Sequence, residues 1–136
     1  MSAATDPCPC GSQKTLGECC GPFLDGENLP LTAEQLMRSR YCAYKLQKIE
    51  YLRETLWPKY QARFDHFGVS RWAAENHWTG LKVLSNEKGG TTDRQGTVLF
   101  EASYLSCGTL QVHREMSLFR KKSGRWYYVE GLAQDF

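Results

Sequence analysis

Four of the six cysteines lie close together near the amino end, and this cluster constrains the fold more than any other feature of the sequence. They are Cys8, Cys10, Cys19 and Cys20, spaced as C-x-C, eight residues and then C-C. In a chain without an export signal, whose thiols stay reduced, such a cluster holds a metal more often than disulfides. Zinc binds four thiolates tetrahedrally and is then closed to water. The pattern therefore predicts a structural Zn²⁺ site rather than a catalytic one.

The residues between the cysteines indicate how this segment takes its shape. Leu16 is almost its only apolar side chain, so metal binding has to supply the folding free energy. The adjacent Cys19 and Cys20 bind one ion only where the backbone is turned or helical. The Ser12 hydroxyl is a candidate hydrogen-bond donor to one of the sulfurs. The alternatives are a disordered tail with reactive thiols and a redox sensor that loses zinc on oxidation.

Composition and charge exclude several classes of protein. The first residues contain neither a basic segment nor an apolar run, so we expect the protein in the cytoplasm. No apolar stretch approaches the ~18–20 residues that cross a bilayer, which predicts that the protein does not span a membrane. The net charge is only +2 and the basic residues are not concentrated, which argues against a nucleic-acid partner. With 41% hydrophobic and 12% aromatic residues, the chain can bury a packed core.

A turn-rich linker over residues 21–31 precedes a long helical pattern. Thr32 can cap this helix, and Gln35 can complete a capping box. The pattern ends before Trp57-Pro58, because a residue that precedes proline is driven out of the α region. The spacing predicts one helix over residues 32–55. Its apolar residues surround most of its circumference, so we expect burial on two sides, between a sheet and the cysteine segment.

After a short helix predicted over residues 69–75, the apolar period changes to two. Alternation predicts four strands, at residues 77–85, 96–106, 109–119 and 125–130. Glycine-containing turns separate them, which is typical of an antiparallel meander. Helices first and a sheet second make an α+β fold. Cys42 and Cys107 lie in segments that read as helix and strand, and each is interpreted as a small buried residue.

Period-two alternation places two candidate catalytic residues on one face of the third strand. His113 and Glu115 are two residues apart, where they can act as a base and its orienting carboxylate. A structural alternative pairs Glu115 with Arg38 or Arg40 of the helix and leaves His113 on a surface stripe. The sequence contains no nucleophile–histidine–carboxylate set, no phosphate loop and no second metal site.

The stretch Cys8-Pro9-Cys10-Gly11-Ser12, followed by Lys14 and Cys19-Cys20-Gly21, resembles the SEC-C motif, the zinc-binding element at the C-terminus of the preprotein-translocase ATPase SecA. The resemblance implies that the four cysteines are the zinc ligands and that the arm meets a protein partner. In SecA the element is basic and docks on the chaperone SecB. Residues 1–30 here hold one basic and four acidic residues, a net −3. An acidic arm is repelled by an acidic chaperone surface, so docking on SecB is not expected.

Five further segments carry a second resemblance: RSRYCAY at residues 38–44, WTGL at 78–81, GTVLF at 96–100, HREMSLF at 113–119 and GRWYYVEG at 124–131. Together they resemble the uncharacterised bacterial YchJ family, which joins a SEC-C motif to a domain of the nuclear transport factor 2-like (NTF2-like) fold. The resemblance implies a long N-terminal helix packed on a curved antiparallel sheet, a cystatin-like cone. It divides the chain into a SEC-C arm and linker over residues 1–30 and an α+β domain over residues 31–136.

These observations predict a non-enzymatic cytoplasmic zinc-binding protein. Its SEC-C arm serves as a protein-interaction element, and its α+β domain serves as a scaffold or a small-ligand pocket. The alternative is a ketosteroid-isomerase-like or dehydratase-like enzyme that uses His113 and Glu115 inside the cone, since this fold hosts enzymes and binding proteins alike. A cavity on the order of a few hundred Å³ that contains both side chains favours the enzyme, whereas a Glu115 locked to an arginine excludes it.

Overall fold

The computed structural model describes residues 4–132, in which five helices precede four strands. The elements are α1 (Gly21–Leu24), α2 (Ala33–Leu46), α3 (Ile49–Glu54), α4 (Pro58–Gln61), α5 (His66–Glu75), β1 (His77–Lys88), β2 (Gln95–Ser106), β3 (Thr109–Lys122) and β4 (Arg125–Leu132). The strands form one sheet in the order β1-β2-β3-β4, and each strand is antiparallel to its neighbour. The predicted α+β class and the antiparallel meander are confirmed.

The single long helix predicted over residues 32–55 is wrong, because the chain breaks between α2 and α3. Gln47 ends α2 in the left-handed conformation, with φ 59°. Its N–H donates to the Tyr44 carbonyl at 3.3 Å, and the Lys48 N–H donates to the Ala43 carbonyl at 2.8 Å. These bonds satisfy carbonyls that a helix end leaves open. Apolar residues continue on both sides of the break, so hydrophobic periodicity alone does not reveal it.

Two shorter helices also differ from the prediction. The linker predicted over residues 21–31 contains α1, a single helical turn that begins at Gly21-Pro22, where proline is preorganised for a helix start. Helix α5 starts three residues earlier than predicted, at His66. The reason is a cap, since Asp65 Oδ1 accepts a hydrogen bond from the Gly68 N–H at 3.0 Å.

The predicted turns between strands are confirmed, and those after β2 and β3 have two-residue tips that suit a twisted hairpin. Cys107 and Gly108 have φ 51° and 78°, and Ser123 and Gly124 have φ 53° and 77°. Positive φ at both central residues matches the right-handed twist of the flanking strands. The burial predicted for Cys107 is wrong: the residue is exposed, because it lies at the tip of a turn rather than within a strand.

Helix α2 lies between the sheet and the cysteine segment, as predicted. It contacts β1, β2 and β4 on the sheet, and it also contacts α1 next to the cysteines. One core therefore contains Cys10 of the arm, Leu36 of α2, and Phe119 and Trp126 of the sheet. Residues on both sides of the predicted boundary at residue 30 contribute to it. Within residues 4–132 the longest helix has 14 residues, and none has the length and apolar character that a membrane span needs.

Candidate metal centre and ligand cavity

The four cysteines of the arm converge into one group, which we call the sulfur cluster: the Sγ atoms of Cys8, Cys10, Cys19 and Cys20. These atoms lie within 4.8 Å of one another. The Sγ of Cys19 is 3.6 Å from that of Cys10 and 3.9 Å from that of Cys20. A tetrahedral ion with metal–sulfur bonds of about 2.3 Å places its sulfurs roughly 3.8 Å apart. The spacing therefore fits a single tetrahedral metal ion bound by four thiolates.

Turns in the arm backbone bring the sulfurs together. The Cys8 N–H donates to the Lys14 carbonyl at 2.8 Å, which closes the loop that carries Cys10. Gly11 has φ +79°, and a Cβ on it would lie 3.4 Å from the Leu81 carbonyl oxygen of the sheet. Glycine fits this conformation without strain. The loop is therefore shaped both by its own hydrogen bonds and by its contact with the body.

The backbone at the adjacent Cys19 and Cys20 is turned and helical, as binding of one ion by both residues requires. Cys19 ends a 3₁₀ turn at Leu16–Glu18, and Cys20 is helical at the start of α1. Their side chains point to the same ion site for that reason. The Ser12 hydroxyl donates to the Cys19 sulfur at 3.1 Å, which matches the predicted donor.

A fifth sulfur, which the sequence analysis assigned only as a small buried residue, touches the sulfur cluster. Cys42 of α2 is fully buried, and its Sγ lies 3.6 Å from that of Cys8. Arg38, one turn earlier, donates from Nη1 to the Cys10 carbonyl at 2.9 Å. These two contacts join the arm to α2. They depend on tertiary packing, and nothing in the spacing of the cysteines indicates them.

The protonation of the cluster indicates why it needs a cation. The hydrogen bond between Cys10 and Cys20 lowers the pKa of the Cys10 thiol and raises that of Cys20 far above its ordinary value. Buried like charges repel, so neighbouring thiols of the cluster do not all ionise by themselves. Four thiolates can be held together only when a cation replaces the remaining protons. The donor set and its charge thus fit a bound divalent metal.

A cavity of about 300 Å³ opens between α2, α5 and the inner face of the sheet. Its apolar wall is mostly aromatic and includes Tyr41, Tyr44, Trp72, Trp78, Phe100 and Phe119. The ring centroids of Trp72 and Trp78 are 4.9 Å apart, and those of Tyr44 and Trp78 are 5.8 Å apart. Its volume is at the lower end of the range of small-molecule sites.

His113 and Glu115 both line this cavity, on the face that the period-two pattern predicted. His113 Nε2 and Glu115 Oε1 are 3.1 Å apart. The other carboxylate oxygen, Oε2, accepts hydrogen bonds from the Ser117 hydroxyl and, at 3.0 Å, from the Tyr128 hydroxyl. The carboxylate of Glu115 is therefore bound by three donors of the protein.

These contacts determine the charge state of the pair. Burial raises the pKa of Glu115, but the hydrogen bonds from His113, Ser117 and Tyr128 outweigh burial and hold the pKa below its ordinary value. The hydrogen bond to Glu115 raises the pKa of His113. Glu115 is therefore an anion that is a weak base, and His113 keeps its proton to higher pH than a free histidine.

Arg40 supplies a second positive charge to the cavity. Its Nη1 donates to the Leu52 carbonyl at 2.9 Å and to the Thr55 hydroxyl at 2.6 Å, and its guanidinium lies 4.7 Å from the centre of the Tyr128 ring. Burial lowers the pKa of this arginine. We treat the side chain as a cation because a guanidinium is not deprotonated in proteins. The Arg–Glu115 bridge considered as a structural alternative does not form. Arg40 instead donates to Leu52 and Thr55, and Arg38 forms an ion pair with Glu34 at 2.9 Å.

The sequence singled out two of the polar cavity residues and missed the others. Ser117 lies on the same face of β3 as His113 and Glu115, where alternation also places it, but the sequence pattern assigned it no role. Tyr128 and Arg40 reach the site through strand pairing and helix packing, which the sequence does not specify. Two buried groups of the wall, the hydroxyl of Tyr41 and the Nε1–H of Trp78, have no hydrogen-bond partner within residues 4–132.

Comparison with known proteins gives matches over nearly the whole chain. The family described as "YchJ, middle NTF2-like domain" matches residues 32–131, and the SEC-C motif matches residues 5–22. A UPF0225 protein of Geobacter sulfurreducens is 43% identical over 93% of this chain and 79% of its own length. A UPF0225 protein of Actinobacillus succinogenes is 40% identical over 93% of this chain and 82% of its own length.

Two solved structures are similar to this one. The solution structure of a SEC-C motif containing protein from Rhodopseudomonas palustris has a TM-score of 0.87 and 42% identity, and covers 94% of this chain and 98% of that chain. The crystal structure of a SEC-C motif containing protein from Psychrobacter arcticus has a TM-score of 0.82 and 31% identity, and covers 93% of this chain and 82% of that chain.

Proposed function

The chain belongs to the YchJ family, with a SEC-C motif followed by an NTF2-like domain, and we propose that it is a zinc-containing protein whose cavity binds a small organic ligand. The observation that carries the proposal is the cavity of about 300 Å³, in which charged side chains meet an aromatic wall. Pockets that combine apolar surface with a few placed polar groups are typical of ligand sites.

In this proposal the metal is Zn²⁺, held by Cys8, Cys10, Cys19 and Cys20, and its role is structural. Sites with four sulfur ligands in tetrahedral geometry are typical of zinc or of iron–sulfur clusters, and the spacing here leaves room for a single ion. A closed shell of four thiolates has no position for a substrate. When bound, the ion fixes the arm against α2, which carries Met37, Arg40 and Tyr41 of the cavity.

The ligand proposal is tested by filling the cavity. Ala102 lies on its wall and is almost fully buried, whereas the next residue, Ser103, faces the other side of the sheet. We expect Ala102→Leu to abolish the binding of one- and two-ring compounds that shift the NMR signals of Trp72 and Trp78. Ser103→Leu is the matched control and should bind them as the unsubstituted protein does. Equal binding by both variants, with native circular dichroism, would place the ligand elsewhere and refute the proposal.

A second candidate is catalysis of proton transfer, and the 3.1 Å contact between His113 and Glu115 inside the cavity favours it. Because Glu115 is a weak base bound by three donors, His113 is the proton carrier and Glu115 is its positioning residue. The test is exchange of the α-hydrogens of 2-tetralone in D₂O. A catalyst of this kind loses about a hundredfold or more of its rate in His113→Gln. Equal rates with and without the protein would exclude this candidate.

The protein partner of the arm stays a proposal, as does residence in the cytoplasm, where the thiols stay reduced. Three of the four cysteines are buried, so a partner meets the exposed side chains Gln13, Lys14 and Glu18 instead. We expect no calorimetric binding to purified SecB, because the arm is acidic. Pull-down with Lys14→Glu/Glu18→Lys and with the unsubstituted protein tests the docking role. Identical captured proteins would contradict it.

A further inference from the structure

The dimensions of the cavity limit the size of its ligand. A cavity of roughly 150 Å³ lined by apolar side chains holds one benzene molecule. The present volume of about 300 Å³ therefore corresponds to a ligand of one or two rings. The wall formed by Tyr44, Trp72, Trp78 and Phe100 favours a flat aromatic ligand, because aromatic rings gain from offset or edge contacts beyond their burial.

The side on which such a ligand enters is marked by the most accessible wall residues. Trp72 is 41% exposed, and the side chain of His113 is 48% exposed. By contrast, Phe119 and Ser117 are almost fully buried and form the floor. A flat molecule that enters beside Trp72 therefore meets His113 at the opening, and Phe119 and Ser117 at the floor.

Most of the polar groups that remain available at the cavity can donate hydrogen bonds. Both oxygens of Glu115 already accept hydrogen bonds from the protein. The guanidinium of Arg40 has five N–H groups, and the bonds within residues 4–132 are made from Nη1. His113 uses Nε2 toward Glu115, which leaves Nδ1 for another partner.

The charges of the cavity lead to the same class of ligand. Arg40 and a protonated His113 carry two positive charges, and Glu115 carries one negative charge. A monoanion therefore neutralises the site, whereas a cation would add to its excess of positive charge. Planar carboxylates also match the planar donors of a guanidinium. We infer that the cavity binds a flat aromatic carboxylate of one or two rings, with its carboxylate at Arg40 and His113.

This inference rests on the proposed ligand-binding function, and the test separates the two. Three compounds with the same bicyclic ring are titrated into the full-length protein at about pH 6, where a histidine with raised pKa is protonated: 2-naphthoate, 2-naphthalenemethanol and 2-naphthylmethylamine. Calorimetry measures affinity, and the NMR signals of Trp72 and Trp78 report the site. We expect 2-naphthoate to bind about tenfold or more tightly than the amine, with the alcohol between them.

Variants then assign the charge selectivity to named residues. His113→Gln should lower the ratio of carboxylate affinity to alcohol affinity by about threefold or more. Arg40→Lys should also lower this ratio, because an ammonium group replaces the planar guanidinium that can bind a carboxylate through two hydrogen bonds. His77→Gln, an exposed histidine outside the cavity wall, should leave the ratio unchanged. If Arg40→Lys fails to fold, the affinity ratio of His113→Gln alone tests whether these residues select the carboxylate.

Each result has a distinct meaning. Binding of the alcohol or the amine at least as tight as that of the carboxylate overturns the inference while the ligand-binding function stands. Carboxylate binding that leaves the Trp72 and Trp78 signals unchanged also overturns it, because the compound then lies outside the cavity. A lack of binding by all three compounds up to about 5 mM overturns both the inference and the proposed function.

Discussion

The sulfur cluster and the cavity share one helix, and they differ in how their polar groups are used. On α2, Cys42 contacts the cluster while the adjacent Tyr41 lines the cavity. In the cluster, buried sulfurs lie against one another and surround a place for one ion. In the cavity, aromatic and charged side chains surround open space that reaches solvent beside Trp72 and His113. A site in which every sulfur binds the same ion stabilises the fold. A site with open volume and available hydrogen-bond donors can bind a ligand.

Removal of one sulfur of the cluster has the largest expected effect. In Cys10→Ser we expect zinc content far below one ion per chain and a loss of about 3 kcal/mol or more in the free energy of unfolding, because the buried site loses a ligand. Metal analysis and urea unfolding measure the two effects. The matched control is Cys107→Ser at an exposed turn, which should leave the zinc content and the free energy of unfolding unchanged. A variant of Cys10 that retains full zinc would show that the cluster is not the metal site.

The contact of Cys42 with the cluster predicts a smaller, separable effect. Cys42→Ala removes a fully buried sulfur next to Cys8, which costs about 1–2 kcal/mol of unfolding free energy through lost packing. Zinc should remain at one ion per chain, since Cys42 lies outside the group of four. Zinc analysis of the purified variant measures this. Loss of the ion in Cys42→Ala, to the extent seen in Cys10→Ser, would make Cys42 a ligand and contradict the assignment.

On the cavity side, removal of one hydrogen bond to Glu115 should cost less than removal of a zinc ligand. Tyr128→Phe deletes a donor to a buried carboxylate, and we expect a loss of about 1–2 kcal/mol. Tyr127→Phe is the matched control: this adjacent side chain packs edge-on against Trp57, with 6.0 Å between ring centroids. Urea unfolding of the two variants measures the difference. Equal stability would mean that the hydrogen bond to Glu115 contributes nothing.

The smallest expected effect is the pH dependence of the His113–Glu115 pair. Because the folded pKa of His113 is raised above 6.5, the contribution of the pair is complete below about pH 6.5 and is lost as pH rises through that folded pKa. Because the folded pKa of Glu115 is lowered below 4.5, the contribution is also lost as pH falls through it. His113 is half exposed, so the effect stays under about 1 kcal/mol.

Urea midpoints of the unsubstituted protein and of His113→Gln, measured from pH 5 to about 8.5, test this dependence. The stability difference between the two proteins should shrink above about pH 6.5. His77→Gln, which removes an exposed histidine outside the cavity wall, is the control for the loss of a histidine. A difference that grows toward alkaline pH would contradict the assigned charges of the pair.

Local chemistry in the sequence predicted much of the fold. The strand alternation and the glycine turns predicted all four strands in order, and the C-x-C and C-C spacing predicted the group of four sulfurs. These features depend on neighbours in the chain, which the sequence shows directly. The break at Gln47 was missed because a left-handed residue other than glycine leaves no compositional signal.

The cavity was less predictable, because its members come from distant parts of the chain. Alternation placed His113 and Glu115 on one face, but it did not distinguish a ligand site from a surface stripe. That distinction depends on Tyr128, which the β3–β4 pairing brings to Glu115, and on Trp72, which α5 brings to the opening. The contact between Cys42 and Cys8 is of the same kind, since 34 residues separate its partners in the chain.

The difference between a closed metal site and an open ligand site is tested most directly by X-ray absorption at the zinc edge of the purified, freshly reduced protein. Coordination by Cys8, Cys10, Cys19 and Cys20 predicts four sulfur neighbours at about 2.3 Å from one zinc per chain. Oxygen or nitrogen atoms in the first shell, or a protein that contains no zinc when it is prepared without chelators, would contradict a structural ion held by these sulfurs.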